Sequence, residues 1–125
     1  MRSTVRGFLL SAVLGAALLG MQSEALAQAA GKRVAVFMGP TQDKYLGTWS
    51  KTFADNAGAL GMKVSVFSSP FDPALQSQQI DDAIAQKYDL LVVQTLSQKA
   101  VIPPLQRAKG AKIPVVLIVA PLVEA

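Results

Sequence analysis

Two short polar stretches carry the side chains best suited to chemistry. In the first, Gly39-Pro40-Thr41-Gln42-Asp43-Lys44-Tyr45, an amide, a carboxylate and an aromatic ring stand close together. Gln42 and Asp43 can hydrogen-bond hydroxyls, and Tyr45 offers a flat face with a polar tip. The second, Gln94-Thr95-Leu96-Ser97, adds another amide and two hydroxyls. Such groups suit neutral polyols and sugars. Each hydroxyl is donor and acceptor at once, and sugar C–H faces stack on aromatic rings. The same residues also have an architectural reading: Asp43 or Thr41 caps the helix that follows, Ser97 caps a later one, and Tyr45 packs at a helix start.

Other chemistry is excluded by what is missing. The chain of 125 residues has no Cys and no His. A zinc finger, a thiol nucleophile, a His-ligated haem and an imidazole-based triad are therefore ruled out, as is any disulfide. The first stretch has a single Gly, and Pro40 removes an amide that a phosphate would need, so neither GxGxxG nor GxxxxGK[ST] is present. Met38-Gly39-Pro40 stands where a phosphate-accepting receiver needs an acidic cluster. No GxSxG elbow exists, and Asp43, Asp55, Asp72, Asp81, Asp82, Asp89 and Glu124 form no pair across a predicted cleft. A binding protein is expected rather than an enzyme, with no cofactor and no metal; a small exported α/β enzyme is the remote alternative.

The elements that must position the two stretches follow from alternating periods. Val34-Ala35-Val36-Phe37-Met38 is a continuous apolar run, the pattern of a strand buried on both faces. Trp49, Phe53, Ala57 and Leu60 form a helical stripe, closed by Gly61 as a left-handed cap. Val64-Ser65-Val66-Phe67 is a second strand. Asp72-Pro73 opens a second helix with buried face Ile80, Ala83 and Ile84. Leu90-Leu91-Val92-Val93 is the third strand. A third helix falls within Ser97–Lys109; Pro103 and Pro104 confine its regular part to the residues from Pro103 onward, and Gly110 ends it. Val115–Val119 is the fourth strand. The alternation predicts an α/β fold in three layers, a parallel sheet with helices on both faces. Ligands then bind at the carboxyl ends of the strands near the switch in strand order, which is where both polar stretches fall.

Residues 1–27 read as an export signal. Arg2 and Arg6 give a positive start, Gly7–Met21 is an apolar run of 15 residues, and Ala25-Leu26-Ala27 fits the cleavage pattern. That run is shorter than the roughly 18–20 apolar residues that span a bilayer. No Cys follows it, which excludes a bacterial lipid anchor. Cleavage after Ala27 removes Arg2, Arg6 and Glu24 from 12 basic and 8 acidic residues, leaving a net charge of +3. Arg107, Lys109 and Lys112 cluster where a helix ends and complement its dipole. A nucleic-acid partner is not expected.

From Lys32 to Val119 the chain resembles the first lobe of the periplasmic sugar-binding proteins of ABC importers, in the ribose- and galactose-type branch. The resemblance rests on "RVAVFMG", "PTQDKYLG", "ADNAGALGMKVSVF", "QQIDDAIAQKYDLLVV" and "AKGAKIPVVLI" in this order and spacing. It implies residues 28–125 as the amino-terminal α/β lobe of a two-lobed trap for a sugar or polyol, whose loaded form docks on a membrane permease; a ligand sensor for a signalling receptor is the alternative. Sugar-responsive repressors share the fold, but they begin with a DNA-binding segment where this chain has a signal. By the resemblance, Gln42 and Asp43 occupy amide positions and Tyr45 the first aromatic, while Lys44 and Leu46 replace a Pro and a second aromatic. Gln94, Thr95 and Ser97 stand where the family has Asn, Pro and Asp. Its Asp-Arg pair after the fourth strand would fall at Val119 and Ala120 and is absent. Charge-assisted bonds are worth roughly 1.5–3 kcal/mol each, so a typical pentose should be held loosely. The second lobe lies outside the sequence, which leaves the fourth strand as an apolar edge. The expectation is that residues 28–125 alone bind no sugar tighter than about millimolar.

Overall fold

The computed structural model describes Glu24 and residues 26–118. The export signal expected over residues 1–27 therefore lies almost wholly outside the described residues, as do Val119 and Ala120. The chain alternates β1 (Arg33–Met38), α1 (Lys44–Ala59), β2 (Lys63–Ser68), α2 (Pro73–Ala85), β3 (Leu90–Gln94), α3 (Gln98–Gly110) and β4 (Val115–Ile118). All strand pairs are parallel, in the order β2-β1-β3-β4. β1 lies between β2 and β3, with Val36 level with Val66 on one side and Val92 on the other.

The continuous apolar run of β1 is explained by burial on both faces. Ala35 and Phe37 pack with Leu91 and Val93 against Ile80 and Ala83 of α2 and Val101 and Ala108 of α3. Val34, Val36 and Met38 pack with Val92 on the opposite face, under Leu46, Trp49 and Phe53 of α1. Removing side chains of this size from water stabilises by about 1.5–3 kcal/mol each. Gly61 is left-handed as its position requires, with φ +83°. Leu60 is instead the C-cap and largely exposed, so the stripe of α1 ends at Ala57. β2 and β4 are the outer strands, and on β4 Val116 and Leu117 are 50% and 49% exposed.

The third helix departs from the expectation. It starts at Gln98, well before the prolines, and runs through Pro103 and Pro104. Pro104 has no N–H to give the Ala100 carbonyl, and that carbonyl accepts the Ser77 hydroxyl of α2 at 2.7 Å. The neighbouring helix thus supplies the bond the proline removes, and Pro104 is buried between them. Gly110 is the last helical residue; the left-handed turn falls on Lys112, with φ 58°. Arg107 pairs with Asp81 through two 2.7 Å bonds rather than joining a basic cluster, and this hydrogen bonding raises its pKa above the ordinary value.

Candidate functional site

The order of the strands creates the site. From β1 the chain passes to β2 on one side, then crosses back to β3 on the other. The loops leaving β1 and β3 consequently lead to opposite faces, α1 to one and α3 to the other, and the carboxyl ends of the strands between them are where open α/β sheets take ligands.

Each loop is tied down by named groups. Gly39 donates its N–H to Gln94 Oε1 at 3.1 Å, which joins the two loops directly. Ser68 Oγ, from the end of β2, donates to the Gly39 carbonyl at 3.1 Å and accepts the Thr41 N–H at 3.3 Å. The loop then folds onto the first turn of α1, where a Cβ on Gly47 would stand 2.5 Å from the Thr41 carbonyl oxygen. Only glycine permits that approach.

Asp43 is the N-cap of α1, its Oδ1 accepting the Tyr45 and Leu46 N–H groups at 2.9 and 3.0 Å. Oδ2 takes no part in this cap. Ser97 caps α3, accepting the Ala100 N–H at 3.4 Å. The architectural reading of these residues is therefore satisfied, and it leaves the Ser97 hydroxyl proton and one Asp43 oxygen for a ligand. Tyr45 does not pack at the helix start; its side chain stands 74% exposed in the first turn of α1. Gln42 is exposed in the turn before it, and Thr95 is half-buried between Gln94 and Leu96.

One contributor has no counterpart among the residues singled out from the sequence. Gln76 of α2 is 1% exposed. Its Nε2 donates to the Gln94 carbonyl at 2.8 Å, and its Oε1 accepts the Leu96 N–H at 3.1 Å. A polar residue on a helix reads as surface, yet Gln76 precedes Ile80 and Ala83 at spacings of four and three, on the buried stripe. That periodicity was the available signal.

The chemistry offered is hydrogen bonding by amides, hydroxyls and one carboxylate oxygen beside an exposed aromatic. Among the described residues no group of three or more His, Cys, Asp or Glu could hold a metal, and no helix is long and apolar enough to cross a membrane. Open hollows of about 450 and 570 Å³ lie away from these loops, beside Ile113 and Lys112 near the amino ends of β3 and β4.

A family model described as "periplasmic binding protein domain" matches residues 16–125. A comparison with curated proteins yields no match. Among solved structures, a periplasmic ribose ABC transporter protein from Conexibacter woesei aligns with TM-score 0.70 and 28% identity, over 78% of this chain and 33% of its own. An ABC transporter solute-binding protein from Mycobacterium smegmatis, with bound glycerol, aligns with TM-score 0.68 and 23% identity, over 77% and 33%. An ABC sugar transporter subunit from Rhodobacter sphaeroides gives TM-score 0.65 and 24% identity, over 70% and 31%. The chain thus spans about a third of the length of these relatives. With the family model extending over most of the sequence and a parallel sheet that superimposes on these proteins, the chain belongs to the periplasmic binding protein family.

Proposed function

We propose that the chain belongs to the solute-binding component of an ABC-type importer, that residues 1–27 export it, and that its lobe captures a sugar or related polyol in the periplasm for a membrane permease. The observation that carries this reading is the meeting of the β1 and β3 loops at Gly39 and Gln94, which gathers amides and hydroxyls at the carboxyl ends of the strands. Gln42, Gln94, Thr95 and Ser97 supply hydrogen bonds, Asp43 supplies its Oδ2, and Tyr45 supplies a stacking face. The ribose and glycerol named for two of the similar structures point to the same ligand class.

Deleting the gene and measuring uptake of labelled neutral sugars and polyols tests the proposal. Loss of uptake of one such solute is the expected result. Unchanged uptake with loss of taxis or signalling toward a sugar would replace import by sensing. At the level of the site, titration followed by amide chemical shifts should move residues 39–45 and 94–97 before others.

A further inference from the structure

We infer that Gln76 is a positioning residue that locks the β1 and β3 loops into one arrangement and, through Gln94, turns an amide N–H donor toward the ligand. The inference rests on these two loops being the ligand site, and its test separates the two.

The geometry of Gln76 has one solution. Its partners are a backbone carbonyl, which only accepts, and a backbone N–H, which only donates. A flipped amide would set oxygen against oxygen and N–H against N–H, so the side chain is fixed in orientation. The two bonds reach the residues on either side of Thr95 and hold the end of β3 and the start of its loop at a set spacing. The side chain is buried, so water does not replace either bond when it is lost.

The second link is Gln94. With its backbone carbonyl held by Gln76, its side-chain oxygen accepts the Gly39 N–H. Gly39 faces Leu46 of α1 and Leu96 of the second loop, so this bond ties α1 to the loop that Gln76 controls. Because the Gly39 N–H fixes which way the amide points, its NH₂ is the donor that Gln94 offers a ligand. Gln94 thus presents donors and selects an oxygen with free lone pairs, such as a ring or hydroxyl oxygen of a polyol. The consequence is mechanical as well as chemical: the loops answer as a unit, since displacing Leu96 moves Gln94 and releases Gly39.

The test compares Gln76→Met, Gln76→Glu and Gln94→Glu in the full chain by amide hydrogen exchange, with D-ribose at up to molar concentration as the probe. Gln76→Met removes both bonds at similar volume, and exchange at Leu96 and Gly39 should rise tenfold or more relative to Val36. Gln76→Glu keeps an acceptor for Leu96 but sets an oxygen against the Gln94 carbonyl. Leu96 should then stay protected while Gly39 is released. Gln94→Glu keeps the Gly39 acceptor and removes the donor, so Gly39 should stay protected within about twofold while ribose-induced shifts at residues 94–97 disappear. Exchange that rises equally at Leu96, Gly39 and Val36 in both Gln76 variants would reduce Gln76 to a general stabiliser and overturn the inference. If ribose moves no loop amide in the unaltered chain while the exchange pattern holds, Gln76 keeps its positioning role and the sugar reading falls instead.

Discussion

At the amino end of the sheet, charge joins β1 to β3. Arg33 donates its backbone N–H to Asp89 and its guanidinium to the Gln86 carbonyl, both at 2.8 Å, and lies 4.1 Å from the centre of the Tyr88 ring. Lys32 adds a 3.7 Å ion pair to Asp89. At the carboxyl end, the same two strands are joined without a formal charge by Gln94 accepting the Gly39 N–H, while Gln76 holds the β3 loop to α2 and Ser68 holds the β1 loop to β2. The first fastening stands largely in water and the second is largely shielded from it. Exposed charged contacts are screened and individually weak. Buried neutral contacts are more costly to break, because the groups left behind find no water. The carboxyl ends of β1 and β3 are therefore fastened to each other by neutral bonds, with the Asp43 carboxylate serving as a cap beside them.

The largest effect should come from breaking the neutral fastening. Gln76→Met leaves the Gln94 carbonyl and the Leu96 N–H without their partner, at about 1–3 kcal/mol each, so a loss of about 2–6 kcal/mol is expected. Urea unfolding with an unchanged slope and a lower midpoint checks this. A loss below about 1 kcal/mol would mean that the two ends do not differ as argued. Next is Asp43→Ala, also at the carboxyl end. It removes the cap of α1 and frays the turn carrying Tyr45, at about 1 kcal/mol. Asp43→Asn should recover most of that, since its oxygen still accepts, and helicity by circular dichroism follows both.

Much of the architecture was legible because each strand is a short apolar run and each helix carries its own start signal. Asp72-Pro73 announces α2 with side chain and ring alone: Asp72 accepts the Leu75 N–H at 3.0 Å, and Pro73 gives up only an N–H that would have been unpaired. What escaped a linear reading is supplied by a second element. Pro103 and Pro104 break a helix by local rules, and at Pro104 it is Ser77, on another helix, that supplies the bond the ring removes. Gln76 was not singled out, because its role depends on a loop that only the fold brings beside it. The loops themselves were readable as polar and well placed. Their capping role was readable only as one option, because the same carboxylate or hydroxyl can serve a cap or a ligand and only coordinates assign its oxygens.

The charged fastening should give a smaller response. Arg33→Met retains aliphatic contact with the Tyr88 ring while losing the bond to Gln86 and the cation–π contact, and about 0.5–1 kcal/mol is expected. The same urea midpoints place it below Gln76→Met. A cost equal to that of Gln76→Met would show that exposure does not weaken the contact.

The smallest effect separates the two ends most cleanly. Raising the salt from about 0.05 to 1 M shortens the Debye length from more than 10 Å to about 3 Å. That screens Lys32–Asp89 and weakens the charge-dependent part of the Arg33 contact, and leaves amide–carbonyl bonds untouched. A change of a few tenths of a kcal/mol is expected from this end. The Gln76→Met chain should show the same salt dependence as the unaltered one, since it removes no charge. Arg33→Met should show less. Non-specific salt effects on apolar burial act on all three chains alike, so the informative quantity is the difference between their slopes. If Gln76→Met changed that slope and Arg33→Met did not, the assignment of charge to one end and neutral bonding to the other would be reversed.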